Sequence, residues 1–171
     1  MIRMGVVGYG YWGPNLVRNF TACADTTVVA VCDSRDAQLN KMSALYPSVK
    51  ACKEYSCLLE DPSIDAIAIA TAVDSHFALA LQAIEAGKHI WVEKPFTATV
   101  DQGRKLLDEA AKRKLVVHVD HTFLYTAAVR KIRELVESGS LGELYYFDSV
   151  RVNLGLFQHD VNVLWDLAVH D

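Results

Sequence analysis

No apolar run in this chain approaches the ~18 to 20 residues that cross a membrane as a helix, so no spanning helix is expected. Clustered lysine and arginine are also missing. The formal net charge is -4 over 171 residues. Binding a phosphate backbone needs basic clusters, so nucleic acid is not an expected partner. The short run Lys112-Arg113-Lys114 follows a helix-like stretch, where it solvates that end and complements the helix dipole. The four cysteines, Cys23, Cys32, Cys52 and Cys57, fall in no Cys-x-x-Cys or Cys/His spacing. No histidine pair has the context of a zinc ligand set either, so no metal site is expected. The expectation is reduced thiols in a cytoplasmic protein, with a Cys52–Cys57 bridge as the less favoured alternative. The chain shows no linker, low-complexity tract or internal repeat. Its start, Met1-Ile2-Arg3-Met4-Gly5, runs straight into a strand-like pattern without signal-peptide features.

What is present is the material of a folded domain: 51% hydrophobic and 22% charged residues. Strand-like and helix-like segments alternate. Strands are expected at 2–7, 27–32, 64–70, 89–92 and 115–119, with a short one at 49–51. Helices are expected at 14–23, 37–45, 54–60, from the cap Asp74 or Ser75 to Ala86, and at 99–113. In the last of these Leu106, Leu107 and Ala110 form the inner face. Pro14 suits a helix start and Gly87 a helix end. Near-continuous apolar strands separated by helices imply a doubly wound parallel sheet of Rossmann type, covered on both faces. After residue 122 the rhythm changes. A helix at 127–137, a turn at 138–142, a strand at 144–152 and a helix from 160 onward cannot close a core of their own. The expected organisation is a nucleotide-binding Rossmann domain over 1–122, then the start of an α/β open-sheet domain over 123–171, incomplete. Exposed sheet edges in such a half-domain favour a homo-oligomer, a dimer or larger.

The strongest local signal is Gly8-Tyr9-Gly10-Tyr11-Trp12-Gly13. It follows a strand, opens a helix, and has Asp33 at the end of the next strand, 20 residues beyond Gly13. Together these make a dinucleotide fingerprint. Gly8 permits the tight turn, Gly10 lets backbone approach the pyrophosphate, and Gly13 allows close packing of helix on strand. The helix N-terminus offers N–H groups to phosphate. Trp12 is placed to cover the cofactor. Asp33 would accept hydrogen bonds from the adenosine ribose and repel a 2′-phosphate, which favours NAD over NADP. Arg35 could pair with such a phosphate, or simply be a solvated surface residue.

Glu93-Lys94-Pro95 falls at the carboxyl end of a strand, where ligands of parallel sheets bind. A lysine there takes the proton of a reacting hydroxyl when desolvated, or stays charged and polarises the oxygen. Asp166 and His170 are four apart, so on a helix they would share a face and the carboxylate could orient the imidazole. His89, His118, Trp91 and Trp165 read as packing residues.

These residues resemble the glucose-fructose oxidoreductase / inositol dehydrogenase (Gfo/Idh/MocA) family. The likeness runs through Gly8–Gly13, Asp33, Ala70-Thr71-Ala72 with His76 beyond, Glu93-Lys94-Pro95, His121-Thr122-Phe123 and Asp166-x-x-x-His170. The stretches 10–15, 153–155 and 161–168 are similar to a subgroup assigned to nucleotide-sugar metabolism. The resemblance implies an NAD(P)-dependent oxidoreductase that moves hydride between nicotinamide and a secondary alcohol of a sugar or nucleotide sugar. It implies Lys94, His170 and Asp166 as catalytic residues. It adds Thr71, His76 and Glu93 to Gly8, Gly10, Tyr11, Trp12, Gly13, Asp33 and Lys94 on the cofactor side. The chain departs from the family pattern at Asp120, where relatives carry Gly, and at Val169, where close relatives have Pro. Family members continue for about as long again. A non-catalytic nucleotide-binding or regulatory protein, or an inactive fragment of such an enzyme, therefore stands as the alternative.

Overall fold

The computed structural model describes residues 1–150 and 162–170. The chain divides into two compact units, 1–119 and 120–171. The first unit is built on six strands: β1 (Ile2–Val7), β2 (Thr26–Cys32), β3 (Lys50–Cys52), β4 (Ala66–Ile69), β5 (His89–Val92) and β6 (Val117–Val119). They form one sheet in the order β3-β2-β1-β4-β5-β6, with every pairing parallel. The helices between them are α1 (Gly13–Ala22), α2 (Asp36–Leu45), α3 (Ser56–Leu59), α4 (Val73–Glu85) and α5 (Val100–Lys112). This is the expected doubly wound sheet.

The apolar strands serve two cores at once. Along β4, Ala66 and Ala68 pack with Met4, Val6, Leu16, Val17 and Phe20. Ile67 and Ile69 point the other way and pack with Leu58, Ala80, Ala83, Ile84 and Leu106. Alternate residues of a strand leave opposite faces, so a strand covered on both sides must be apolar throughout. Small alanines on one face and isoleucines on the other accommodate helices of different bulk. On α5 the buried positions are Gly103, Leu106 and Ala110. Leu107, expected inside, is 52% exposed, because one residue beyond Leu106 rotates the side chain by about 100° around the helix.

Two further expectations are corrected in this unit. Helix α4 begins at Val73 with Ala72 as its uncapped first boundary, so neither Asp74 nor Ser75 is the cap. The Ser75 hydroxyl instead donates to the Ala72 carbonyl at 2.7 Å and lies 2.7 Å from the Thr71 hydroxyl, binding the loop rather than the helix. The thiols are not all reduced: Cys52 and Cys57 form a disulfide, with Cα atoms 6.5 Å apart. The turn from β3 into α3 brings this close pair within bridging range. Cys23 and Cys32 remain thiols.

The second unit holds a 3-10 turn (Thr122–Tyr125), helix α6 (Ala127–Glu137), helix α7 (Val163–Asp166) and a 3-10 turn (Ala168–His170). Thr126 caps α6 by accepting the Val129 N–H. Residues 144–150 form no strand, contrary to expectation. The strand pattern there is real, but strands exist only as pairs, and no partner strand lies among the described residues of this unit. Leu144, Tyr145, Tyr146, Phe147 and Val150 are exposed. The remainder of the expected strand, residues 151–152, lies outside the described residues. So do 153–155, residues 160–161 of the expected final helix, and Asp171.

Candidate nucleotide site

The carboxyl ends of β1, β2, β4 and β5 carry the residues singled out above. Strand order reverses between β1 and β4, which opens a crevice at that edge of the sheet. Gly8 leaves β1 with φ +92°, and its N–H donates to the Cys32 carbonyl at 2.8 Å. A Cβ on Gly8 would lie 2.6 Å from the Ala70 carbonyl oxygen. Gly13 is tighter still: a Cβ there would sit 2.0 Å from the Gly8 carbonyl oxygen. The glycines at the two ends of the loop therefore pack against each other. Gly10 differs, since its nearest neighbour is the Arg35 Nη2 at 3.4 Å. Backbone is open to a ligand there, as the fingerprint requires. Helix α1 starts with no side-chain cap and no acidic residue in its first turn, so its positive end faces no negative side chain. Tyr11 and Trp12 rim the loop, 81% and 39% exposed, with ring centroids 6.1 Å apart.

Asp33 is 5% exposed. Its Oδ2 accepts the Tyr9 backbone N–H at 2.8 Å and Arg35 Nη2 at 3.0 Å, and its Oδ1 accepts the Arg35 backbone N–H at 2.9 Å and Nε at 3.0 Å. Burial works against the charged carboxylate, but the hydrogen bonds from Arg35 and Tyr9 outweigh it and hold the carboxyl below its ordinary range. Arg35 is thus not a free surface arginine. It forks onto Asp33 and lies over Gly10.

His76 is 1% exposed in the first turn of α4. Its Nδ1 is 2.9 Å from the Pro95 carbonyl oxygen and its Nε2 is 3.0 Å from that of Thr71. Both neighbours can only accept. A neutral ring bonds one of them and a doubly protonated ring bonds both. Either way the ring faces its own chain and links the loop after β4 to the loop after β5. Glu93 is buried, and its N–H donates to the Ile69 carbonyl at 3.0 Å. Lys94 follows, half-buried, and its peptide to Pro95 is cis. His118 stacks on Trp91 at 4.0 Å and Trp91 meets Phe20 edge-on at 5.3 Å. His89 Nδ1 accepts the Val116 N–H at 3.0 Å. These three are packing residues, as expected.

Asp166 and His170 lie in the second unit. They do not share one helix: α7 ends at Asp166, and His170 closes a separate 3-10 turn, its N–H donating to the Leu167 carbonyl at 3.0 Å. The expected common helical face is therefore absent. The His170 ring stacks on Phe123 with centroids 4.6 Å apart.

Sequence reasoning left His76 open between a packing residue and an adenosine-side contact, and it missed the Asp33–Arg35 fork. The first signal available was a histidine with apolar Phe77 and Ala80 around it in a helix. The second was the two-residue spacing of opposite charges at a strand end.

Comparison with known proteins agrees with this geometry. The model of the oxidoreductase family with an NAD-binding Rossmann fold matches residues 2–121. The oxidoreductase YdgJ of Escherichia coli is 38% identical over 148 residues, 86% of this chain and 42% of that protein. A dTDP-3,4-didehydro-2,6-dideoxy-alpha-D-glucose 3-reductase of Saccharopolyspora spinosa is 31% identical over 87% of this chain and 45% of that protein. Among solved structures, the biliverdin reductase of Synechocystis in complex with biliverdin and NADP+ superimposes with a TM-score of 0.75 at 30% identity, covering 85% of this chain and 45% of that one. The chain spans about half the length of the relatives it matches. By its matched motifs and its sheet, the chain belongs to the Gfo/Idh/MocA family of oxidoreductases, whose Rossmann fold binds NAD(P).

Proposed function

We propose that this chain forms the nucleotide-binding part of an NAD(H)-dependent oxidoreductase acting on a secondary alcohol of a sugar or nucleotide sugar. The observation that carries this reading is the buried Asp33 carboxylate hydrogen-bonded to Tyr9 in the glycine loop. It sets an anionic acceptor beside a backbone that a phosphate can approach.

The residues fit the cofactor. Gly10 leaves backbone uncovered, the uncapped end of α1 attracts the pyrophosphate, and Asp33 receives the ribose hydroxyls once the exposed Arg35 side chain, which fills two of its four acceptor positions, turns aside. Bound nicotinamide supplies the hydride acceptor or donor. Tyr11 and Trp12 cover the loop from the solvent side. Thr71 and Glu93 line the crevice at the ends of β4 and β5, and His76 holds their loops in place. Lys94 polarises the substrate oxygen or carries its proton. His170 takes the role of proton donor or acceptor that the family resemblance implies, with Asp166 as its acidic companion. The preference for NAD rests on the ionised Asp33, which repels a 2′-phosphate. Arg35 is the residue that would admit NADP if it released Asp33.

The sugar class rests on the S. spinosa relative, which is named as a sugar reductase. The Synechocystis structure, named a biliverdin reductase, shows that the fold serves other substrates. The test is titration with NADH and NADPH, followed by turnover over a panel of nucleotide sugars. Lys94→Ala should bind NADH within about twofold of the parent and lose turnover; undiminished turnover rejects the catalytic role. Binding without any turnover in the parent chain favours the non-catalytic alternative. Sedimentation at micromolar concentration tests the expected homo-oligomer, and a clean monomer rejects it.

A further inference from the structure

The edge of the sheet beside Asp33 carries a sulfur cluster that the proposed reaction does not use. Cys32, Cys52 and Cys57 belong to one apolar cluster. Cys32 ends β2 and Cys52 ends β3, and the two are register partners across the sheet. Cys52 is bonded to Cys57 in the first turn of α3. The Cys52 carbonyl accepts the Asp33 N–H at 3.1 Å. The Asp33 carboxylate then takes the Tyr9 N–H. One covalent bond and two hydrogen bonds therefore connect Cys57 to the glycine loop.

Strand β3 needs that covalent tie. It has three residues, lies at the sheet edge and pairs only with β2. An edge strand this short holds its place weakly. The three sulfurs are not equivalent. Burial, with the charges of Asp33 and Glu54 beside it, pushes the Cys32 thiol up to about 11. It stays protonated at neutral pH and does not compete for the bridge. Cys52 is buried, whereas Cys57 is half-buried and is the reachable sulfur.

We propose that Cys57 is a site of thiol–disulfide exchange with an external dithiol, and that the state of the Cys52–Cys57 bridge sets the position of Asp33 and hence the affinity for the adenosine side of the nucleotide. The second half rests on the nucleotide reading above. An incoming thiolate attacks the Cys57 sulfur, the Cys52–Cys57 bond breaks, and Cys52 leaves and takes a proton. The second thiol of the reagent then displaces Cys57 from the mixed disulfide. The protein gains two electrons and two protons, and the dithiol is oxidised to its own disulfide. Reduction frees β3, loosens the Asp33 N–H from the Cys52 carbonyl, and withdraws preorganisation from the carboxylate.

The test compares native protein, carrying Cys23→Ser to remove the exposed thiol, before and after treatment with dithiothreitol, with the bridge checked by alkylation and mass. Two measurements are made. Amide hydrogen exchange at Asp33, without nucleotide, should be faster in the reduced form. The NADH dissociation constant should rise about three- to tenfold on reduction, within the usual span of coupling between sites. Cys57→Ser should match the reduced form and ignore dithiothreitol. Equal exchange at Asp33 in both states overturns the proposal whatever the nucleotide does, as does a bridge that resists dithiothreitol until the protein unfolds. Faster exchange with no NADH binding in either state rejects the nucleotide reading and upholds the redox response of Asp33.

Discussion

The backbone N–H of Tyr9 donates to the Asp33 carboxylate across 24 residues of chain, at 2.8 Å. This bond fastens the glycine loop to the end of β2, and it makes Asp33 a structural acceptor as well as the proposed ligand for ribose. Asp33→Asn keeps the size and removes the charge. We expect NADH affinity to fall about tenfold or more, since hydrogen bonds to a charged group contribute about 1.5–3 kcal/mol; isothermal titration measures it. The carboxyl is held below its ordinary range in the fold. Its stabilising effect is therefore complete above the unfolded value of about 3.9 and is lost as pH falls through the lower folded value. Acid unfolding of Asp33→Asn should show a correspondingly shallower loss of stability below about pH 4.

Gly13→Ala tests the packing of the loop on itself. The added methyl would lie 2.0 Å from a backbone oxygen, which no side-chain rotation relieves. We expect a loss of about 3 kcal/mol or more, at the upper end of overpacking costs. Gly10→Ala meets only the end of a flexible arginine at 3.4 Å, so it should fold like the parent and bind nucleotide less well. Urea denaturation and NADH titration on the two variants separate these effects, and equal stability losses would contradict the different tasks assigned to the two glycines.

His76→Phe keeps the ring and removes its hydrogen bonding to the Pro95 and Thr71 carbonyls, one bond for a neutral ring and two for a doubly protonated one. Each carbonyl left unsatisfied costs about 1–3 kcal/mol. We expect a drop of about 1–3 kcal/mol or more in urea denaturation. Any turnover that depends on Lys94 should fall more than NADH affinity does, because the ring bonds the Pro95 carbonyl beside Lys94 and reaches the glycine loop only through Thr71.

Arg35→Ala removes the fork from Asp33. NADPH affinity should fall, because a positive charge near the 2′ position is lost while the Asp33 carboxylate remains. NADH affinity should change by less, about threefold at most, as expected for an arginine whose side chain is 57% exposed. Paired fluorescence titrations with the two nucleotides give the ratio. A ratio that does not move would show that Arg35 has no part in cofactor choice.

The first unit was legible in the sequence because its central strands, such as β4, are apolar on both faces and its turns carry their own punctuation. Gly8, Gly13 and Asp33 were readable as a set, since a tight turn, a close approach and a terminal acid have few residue solutions. The direction of the His76 ring was not readable. A histidine in the first turn of a helix can face ligand or loop, and only the position of the Pro95 carbonyl, 19 residues away, decides it. The disulfide stood only as the less favoured alternative for a related reason: spacing alone does not show that the chain reverses between Cys52 and Cys57. The strand expected at 144–152 failed because a β pattern states a preference, and pairing needs a neighbour that local sequence does not contain. Asp166 and His170 were expected on one helix because a separation of four fits one, but Leu167 ends α7 and a tighter turn follows.

Strand β1 stands at the middle of the sheet, flanked by β2 and β4. It also precedes both of its partner strands in the chain. Its pairing with β2 joins Met4 to Val28, while its pairing with β4 joins Met4 to Ala66. The strand between them is thus made before either neighbour. One flank can form while the chain is still short, and the other waits until about forty more residues have emerged. During that interval Val7, bound for the second core, has no covering isoleucines. Aggregation of this chain during synthesis would therefore be sensitive to the rate at which the stretch from β2 to β4 is translated.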